Sequence, residues 1–177
     1  MTSKNICLTG LMGSGKSTLA PLLARQLGYA LINLDKEIAV RMGRTIMMIF
    51  ADQGEETFRR EEEVVLQHAC SKPGQVIDCG GGIVVSERNR ALLSVQFTIF
   101  LSASPETLAA RIGPPAGRPL LAGAESVPAR LGDILAEREP LYRQCASLVI
   151  STEKGEPAAI AAEILAQLPE ELQPVQP

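Results

Sequence analysis

Tryptophan is absent from this chain of 177 residues, and the aromatics amount to four phenylalanines and two tyrosines. That leaves no series of stacking platforms for single-stranded nucleic acid. An excess of positive charge is missing too: 17 Lys and Arg against 20 Asp and Glu give a net charge of -3, with no basic field to hold a duplex. No apolar run approaches a bilayer span, so neither nucleic acid nor membrane is expected as a partner. His68 is the single histidine, and on its charged stretch it reads as a solvated side chain rather than a ligand or base. Cys7, Cys70, Cys79 and Cys145 show neither a C-x-x-C pair nor zinc spacing, which excludes a metal staple or disulfide framework and suits reduced thiols. The stretch from Met1 to Asn5 leads directly into an apolar run, with no space for a secretory leader, so a cytoplasmic location is expected.

Apolar residues, in contrast, make up 46% of the chain, ample for one core, and residues 1–177 read as a single domain. Short β-rich runs near 5–9, 30–34, 75–79, 96–101 and 147–151 alternate with helical patterns near 16–27, 35–42, 45–70, 86–94, 104–112, 126–144 and 157–168. Such alternation predicts an α/β fold with a parallel sheet covered by helices on both faces, and ligands at its carboxyl edge. Continuous runs such as VID and FTIFL suit strands buried on both faces. Residues 33–63 and 112–126 exceed what a minimal sheet needs, and read as a substrate-binding segment and a mobile lid. The polar, Pro-rich tail 169–177 reads as disordered.

The most specific signal is GLMGSGKST, which fits G-x-x-x-x-G-K-[ST] at Gly10, Gly15, Lys16 and Ser17, between an apolar strand and a helix. Glycines let successive N–H groups curl inward onto phosphate oxygens, and the helix adds its positive end. Gly13, Ser14, Gly15, Lys16, Ser17 and Thr18 are thus candidate ATP ligands, with Lys16 reaching the β- and γ-phosphates and Ser17 reaching Mg²⁺.

Moving a phosphoryl group further requires a metal site, an acceptor site and positive charge. Asp78 ends a strand run, where a carboxylate can support Mg²⁺ directly or through water; a turn residue is the plainer reading. Asp35 follows the second strand run and could take up a substrate hydroxyl's proton, cap the next helix, or do both. Arg59 sits among acids but next to Phe58, an apolar anchor that could turn it inward. Gly80, Gly81 and Gly82 permit a close approach by ligand or backbone. Arg118 and Arg138 offer guanidinium forks matched to carboxylate or phosphate.

Together, GLMGSGKST, Asp35, GEETFRREEE with Arg59, the triple glycine, RPLL at 118–121 and PLYR after Arg138 resemble the shikimate kinase family in order and spacing, to about residue 168. The resemblance implies a three-layer P-loop kinase fold with strand order 2-3-1-4-5, and transfer of the γ-phosphate of MgATP to the 3-hydroxyl of shikimate by a monomer. It further implies that Asp35 binds the substrate hydroxyls and is the candidate base, while Arg59 and Arg138 hold the carboxylate with the backbone after Gly80, Gly81 and Gly82. Lys16 and Arg118 meet the phosphoryl groups, Arg111 and Pro157 flank adenine, and Glu62 orients the acceptor-site arginines. One departure stands out. The family usually has an Asp two residues before Asp35, supporting Mg²⁺ through water; here that position is Asn33, an acceptor without charge, and Asp78 is the candidate replacement. The alternatives are a related small-metabolite kinase, such as one for gluconate, and a nucleotide-sensing domain without turnover.

Overall fold

The computed structural model describes residues 4–112, 119–121 and 123–173. Its elements alternate as β1 (Ile6–Thr9), α1 (Lys16–Leu27), β2 (Ala30–Asn33), α2 (Leu34–Met42), α3 (Ile46–Cys70), β3 (Gln75–Asp78), α4 (Glu87–Val95), β4 (Phe97–Ser102), α5 (Pro105–Ile112), α6 (Val127–Cys145), β5 (Leu148–Ser151) and α7 (Pro157–Ala166). Among the described residues the strands form one sheet in the order β2-β3-β1-β4-β5, with every pairing parallel. No helix among them is long and apolar enough to cross a membrane.

Side-chain alternation divides the core into two layers. Ile6 and Leu8 of β1 point to one face, where Val76, Ile99 and Ile150 join Leu23 of α1 and Ile164 of α7. Cys7 points to the other, with Ile77, Phe100, Leu66 of α3, Leu93 of α4 and Tyr142 of α6. There the Tyr142 ring stacks on Phe100 with centroids 4.9 Å apart. β1 lies between β3 and β4, so its carboxyl end is where the strand order changes direction, the place where such sheets bind ligands.

Local chemistry sets the helix starts. Asn33 caps α2, its side-chain oxygen accepting from the Lys36 N–H at 2.9 Å. The cap is therefore Asn33 and not Asp35, which lies one position inside the helix. Thr45 caps α3 through the Met48 N–H, and Ser126 caps α6 through that of Ala129. The run 45–70 departs from an unbroken helix: α3 is interrupted at Gly54, whose φ of 81° and ψ of 167° no helix contains. A side chain there would be strained, and the break swings the preceding turns round so that Phe50 meets Phe58, centroids 4.8 Å apart.

Candidate active site

Gly10 to Gly15 leave β1 in a tight loop that only glycine permits at its close approaches. A Cβ on Gly10, at φ 140°, would stand 2.5 Å from the Leu101 carbonyl, and one on Gly13, at φ 81°, 2.7 Å from that of Leu108. Gly15 caps α1 without any side-chain hydrogen bond, leaving the helix's first N–H groups to the loop cavity. Lys16 folds back over this loop, donating to the Gly10 carbonyl at 2.7 Å and the Leu11 carbonyl at 3.1 Å. Burial lowers its pKa, while Asp78 and Asp35 favour its charged form.

Three cavities meet at this sheet edge. The largest, about 430 Å³, runs along the phosphate loop past Lys16, Ser17, Asp35 and Asp78 to Gly80 and Gly81. A second, about 220 Å³, lies on its outer side between Gly15, Thr18, Arg111, Thr152 and Pro157. Arg111 is fixed there by Thr152: one guanidinium nitrogen donates to the Thr152 hydroxyl at 3.1 Å and the other to its carbonyl. The Thr152 hydroxyl donates in turn to the Ser14 carbonyl at 3.0 Å, tying the end of β5 to the phosphate loop.

The third cavity, about 200 Å³, lies on the inner side and is lined by Phe50, Phe58, Arg59, Glu62, Arg138 and the three glycines. Arg59 donates to Glu62 Oε2 at 2.8 Å and to Glu55 at 3.0 Å, and its guanidinium lies 5.1 Å from the Phe58 ring centre. Glu62 is fully buried, and its other oxygen has no hydrogen-bond partner among the described residues. Burial raises its pKa, against the pull of Arg59. Arg138 donates to the Gly81 carbonyl at 3.1 Å, and the Tyr142 hydroxyl donates to the same oxygen. A Cβ on Gly82 would overlap the Arg59 guanidinium; one on Gly80 would stand 3.0 Å from Glu62 Oε1 and 3.1 Å from Asp35 Oδ1. Gly80 and Gly82 thus serve space and not backbone freedom, since none of the three has a positive φ, whereas a Cβ on Gly81 would meet only ordinary contacts at 3.5 Å.

Asp35 borders both the inner cavity and the phosphate cavity. Its carboxyl is desolvated by the surrounding protein, which raises its pKa; Lys16 pulls it down, Asp78 adds to the rise, and Arg59 pulls it down. An acid between a phosphate cradle and a basic pocket suits proton transfer from a hydroxyl held between them.

A family model described as shikimate kinase matches residues 12–169. The shikimate kinase of Pseudomonas syringae pv. tomato is 41% identical over 169 residues, covering 94% of this chain and 97% of that protein. The chain belongs to the shikimate kinase family. The shikimate kinase of Symbiobacterium thermophilum is 42% identical with the same coverage. Among solved structures, shikimate kinase from Acinetobacter baumannii in complex with shikimate superposes with a TM-score of 0.88 at 37% identity, covering 93% of this chain and 92% of that one. A gluconokinase from Sinorhizobium meliloti has a TM-score of 0.55 at 16% identity, covering 93% and 91%, a likeness of fold alone.

Within this family frame, the residues singled out from sequence around the loop, Asp35, Arg59, the glycines and Arg138 line adjoining cavities, and Arg111 and Pro157 share the outer one. Arg118 lies outside the described residues. Asn33 lines the phosphate cavity; its oxygen accepts from the Lys36 N–H, and its amide nitrogen donates to Asp78 at 2.8 Å. Met12, Phe50, Tyr142 and Thr152 also shape these cavities or their partners and carry no sequence-level role above. For Tyr142 a signal existed, its place in PLYR; Thr152, just past the last strand, had only its position.

Proposed function

We infer that the protein transfers the γ-phosphoryl group of MgATP to the 3-hydroxyl of shikimate, giving shikimate 3-phosphate and ADP. The observation that carries this reading is the position of Asp35, the acid shared by the phosphate cavity and the cavity holding Arg59 and Arg138. Family membership supplies the acceptor, and both cavities are lined by one chain, so a monomer suffices.

In this reading the adenine lies between Arg111 and Pro157, and the phosphates follow the loop N–H groups from Gly13 to Thr18. Arg59 and Arg138 grip the acceptor carboxylate as guanidinium forks, Glu62 keeping Arg59 at the proper angle. The hydroxyl then faces the loop, and Asp35 accepts its proton while a bond forms from the hydroxyl oxygen to the γ-phosphorus and the bond from that phosphorus to the β–γ bridging oxygen breaks. Lys16 balances charge spreading over the transferred group, and Arg118 joins it when residues 112–126 close over the site to exclude water.

The residues present fit magnesium. Ser17 and Asp78 offer only oxygen, and the described residues contain no cluster of three or more His, Cys, Asp or Glu that would mark an all-protein cage. Magnesium uses few protein carboxylates and keeps phosphate and water ligands. When bound it would neutralise the negative charge developing in the transfer, and Ser17 with Asp78 would hold it.

A coupled ADP-release assay with shikimate, gluconate or no acceptor tests the reading. ADP release that depends on shikimate is expected. Equal release with gluconate, or release indifferent to any acceptor, would overturn it.

A further inference from the structure

Strands β2 and β3 end side by side, with Asn33 and Asp78 as register partners. One oxygen of Asp78, Oδ2, accepts from the Ser17 hydroxyl at 2.7 Å and from the Asn33 amide at 2.8 Å. The Asn33 oxygen faces the other way, onto the Lys36 N–H. These partners fix the amide's orientation, since the reverse would set oxygen against carboxylate and NH₂ against N–H.

Capping α2 requires only an acceptor, for which Asp, Ser or Thr would serve as well. Among these caps only Asn puts the acceptor and the donor on separate atoms of one planar group, so that the oxygen can cap while the NH₂ reaches the other way; ionised Asp has no donor, and Ser and Thr have one oxygen for both roles. A carboxylate at that position would meet Asp78 at hydrogen-bond distance, where two like charges raise one another's pKa and cannot both remain ionised cheaply. An amide instead holds Asp78 in a single orientation beside Ser17.

We propose that Asn33 is a positioning residue for Asp78: the carboxylate of the magnesium site belongs to β3, and β2 contributes only the amide that aims it. This rests on the kinase reading above. Because the two residues are register partners, their chemistry should be exchangeable. The double variant Asn33→Asp/Asp78→Asn keeps one carboxylate, one amide and the helix cap, with the charge moved to the neighbouring strand.

The test uses Mn²⁺ as the probe, its affinity for the full-length protein in the presence of ADP followed by electron paramagnetic resonance, with no turnover involved. Asp78→Asn should weaken Mn²⁺ binding about 10–100-fold, the usual loss when a residue supporting a metal site is removed. Asn33→Ser retains an acceptor for the cap, but its single short hydroxyl replaces the separate amide NH₂ aimed at Asp78, so it should weaken Mn²⁺ binding while melting stays close to wild type. The double exchange should recover most of the affinity lost in Asp78→Asn. Wild-type affinity in Asp78→Asn or Asn33→Ser, or a double exchange no better than Asp78→Asn, would overturn the proposal. Shikimate-dependent ADP release by the wild type is scored separately, so that failure of the kinase reading registers there and not in the Mn²⁺ titration.

Discussion

Replacing Gly82 with alanine isolates the acceptor pocket from the rest of the fold. Gly82 has φ -102° and ψ 3°, a backbone open to alanine, so the chain itself has no reason to move. The added Cβ, however, falls within the Arg59 guanidinium. Arg59 is the flexible partner and must leave, giving up the bond to buried Glu62 at 2.8 Å and its place over Phe58. A charge-assisted hydrogen bond of this kind contributes about 1.5–3 kcal/mol. If the displaced guanidinium also withdraws one of two grips on the acceptor carboxylate, a loss of about 2 kcal/mol in acceptor binding follows. At about 1.4 kcal/mol per factor of ten, that is roughly a 30-fold rise in KM for shikimate. ADP release measured with shikimate varied at saturating ATP, and then the reverse, reads the two sites separately. An unchanged shikimate KM in a folded Gly82→Ala protein would refute the reasoning, as would an equal rise in both constants.

Other perturbations address the remaining parts. Asp35→Asn should lower turnover about 10²–10⁴-fold, the range for losing a positioned base, while raising the melting temperature at neutral pH. The sign follows from its raised pKa: above the ordinary carboxylate value of 3.8 the folded state still holds a proton that the unfolded chain has released, so stability falls as pH rises through that window. Melting curves at neutral pH that show no gain for Asp35→Asn would contradict this. Arg111→Ala removes the guanidinium that Thr152 holds beside the phosphate loop and should raise KM for ATP about tenfold with little change for shikimate, since Arg111 lines the outer cavity and not the inner one. Glu153 accepts from the Ser104 N–H and from the Ser104 and Thr107 hydroxyls, which hold its pKa at about 2. Its contribution should therefore be present above the ordinary value of 4.5 and fade as pH falls towards about 2. Melting of Glu153→Gln against wild type should converge over that interval, and a gap that persisted to its acid end would count against the assignment.

How much of this was legible in the sequence depended on distance along the chain. The phosphate loop is local: nine residues contain its glycines, its lysine and its metal-side hydroxyl, so the motif and the site coincide. The strand and helix bounds were legible for the same reason, because continuous and amphipathic runs report their own environment. Asn33 was not. Two polar residues near one helix start are equivalent caps to a reader of sequence, and only the register of β2 against β3 shows that Asn33 takes the cap and leaves Asp35 to the cavities. The break at Gly54 was equally hidden, since one glycine in a helical pattern is compatible with an unbroken helix until the Phe50 and Phe58 rings must meet. Thr152 and Tyr142 act on backbone carbonyls of Ser14 and Gly81, 138 and 61 residues away, a type of contact that leaves no pattern in the side chains.

The order of the strands explains why the acceptor half of the site requires glycine where it does. β1 delivers the phosphate loop and β2 leads into Asp35, but they are not neighbours; β3 lies between them. Adjacent strands are about 4.8 Å apart, so roughly 10 Å separates the ends of β1 and β2. A reacting hydroxyl and phosphoryl group must meet across that gap, above the residues that follow β3. Those residues are Gly80, Gly81 and Gly82, and a Cβ at the first would press on Asp35 and Glu62 while one at the last would strike Arg59. Gly80 borders both cavities, so a side chain there would crowd the carboxylates between them, whereas Gly82 lines the inner cavity alone. Gly80→Ala should accordingly depress turnover more than acceptor binding, because the atoms it crowds at 3.0 and 3.1 Å are those of the carboxylates, whereas Gly82→Ala acts on Arg59, proposed above to hold the acceptor carboxylate.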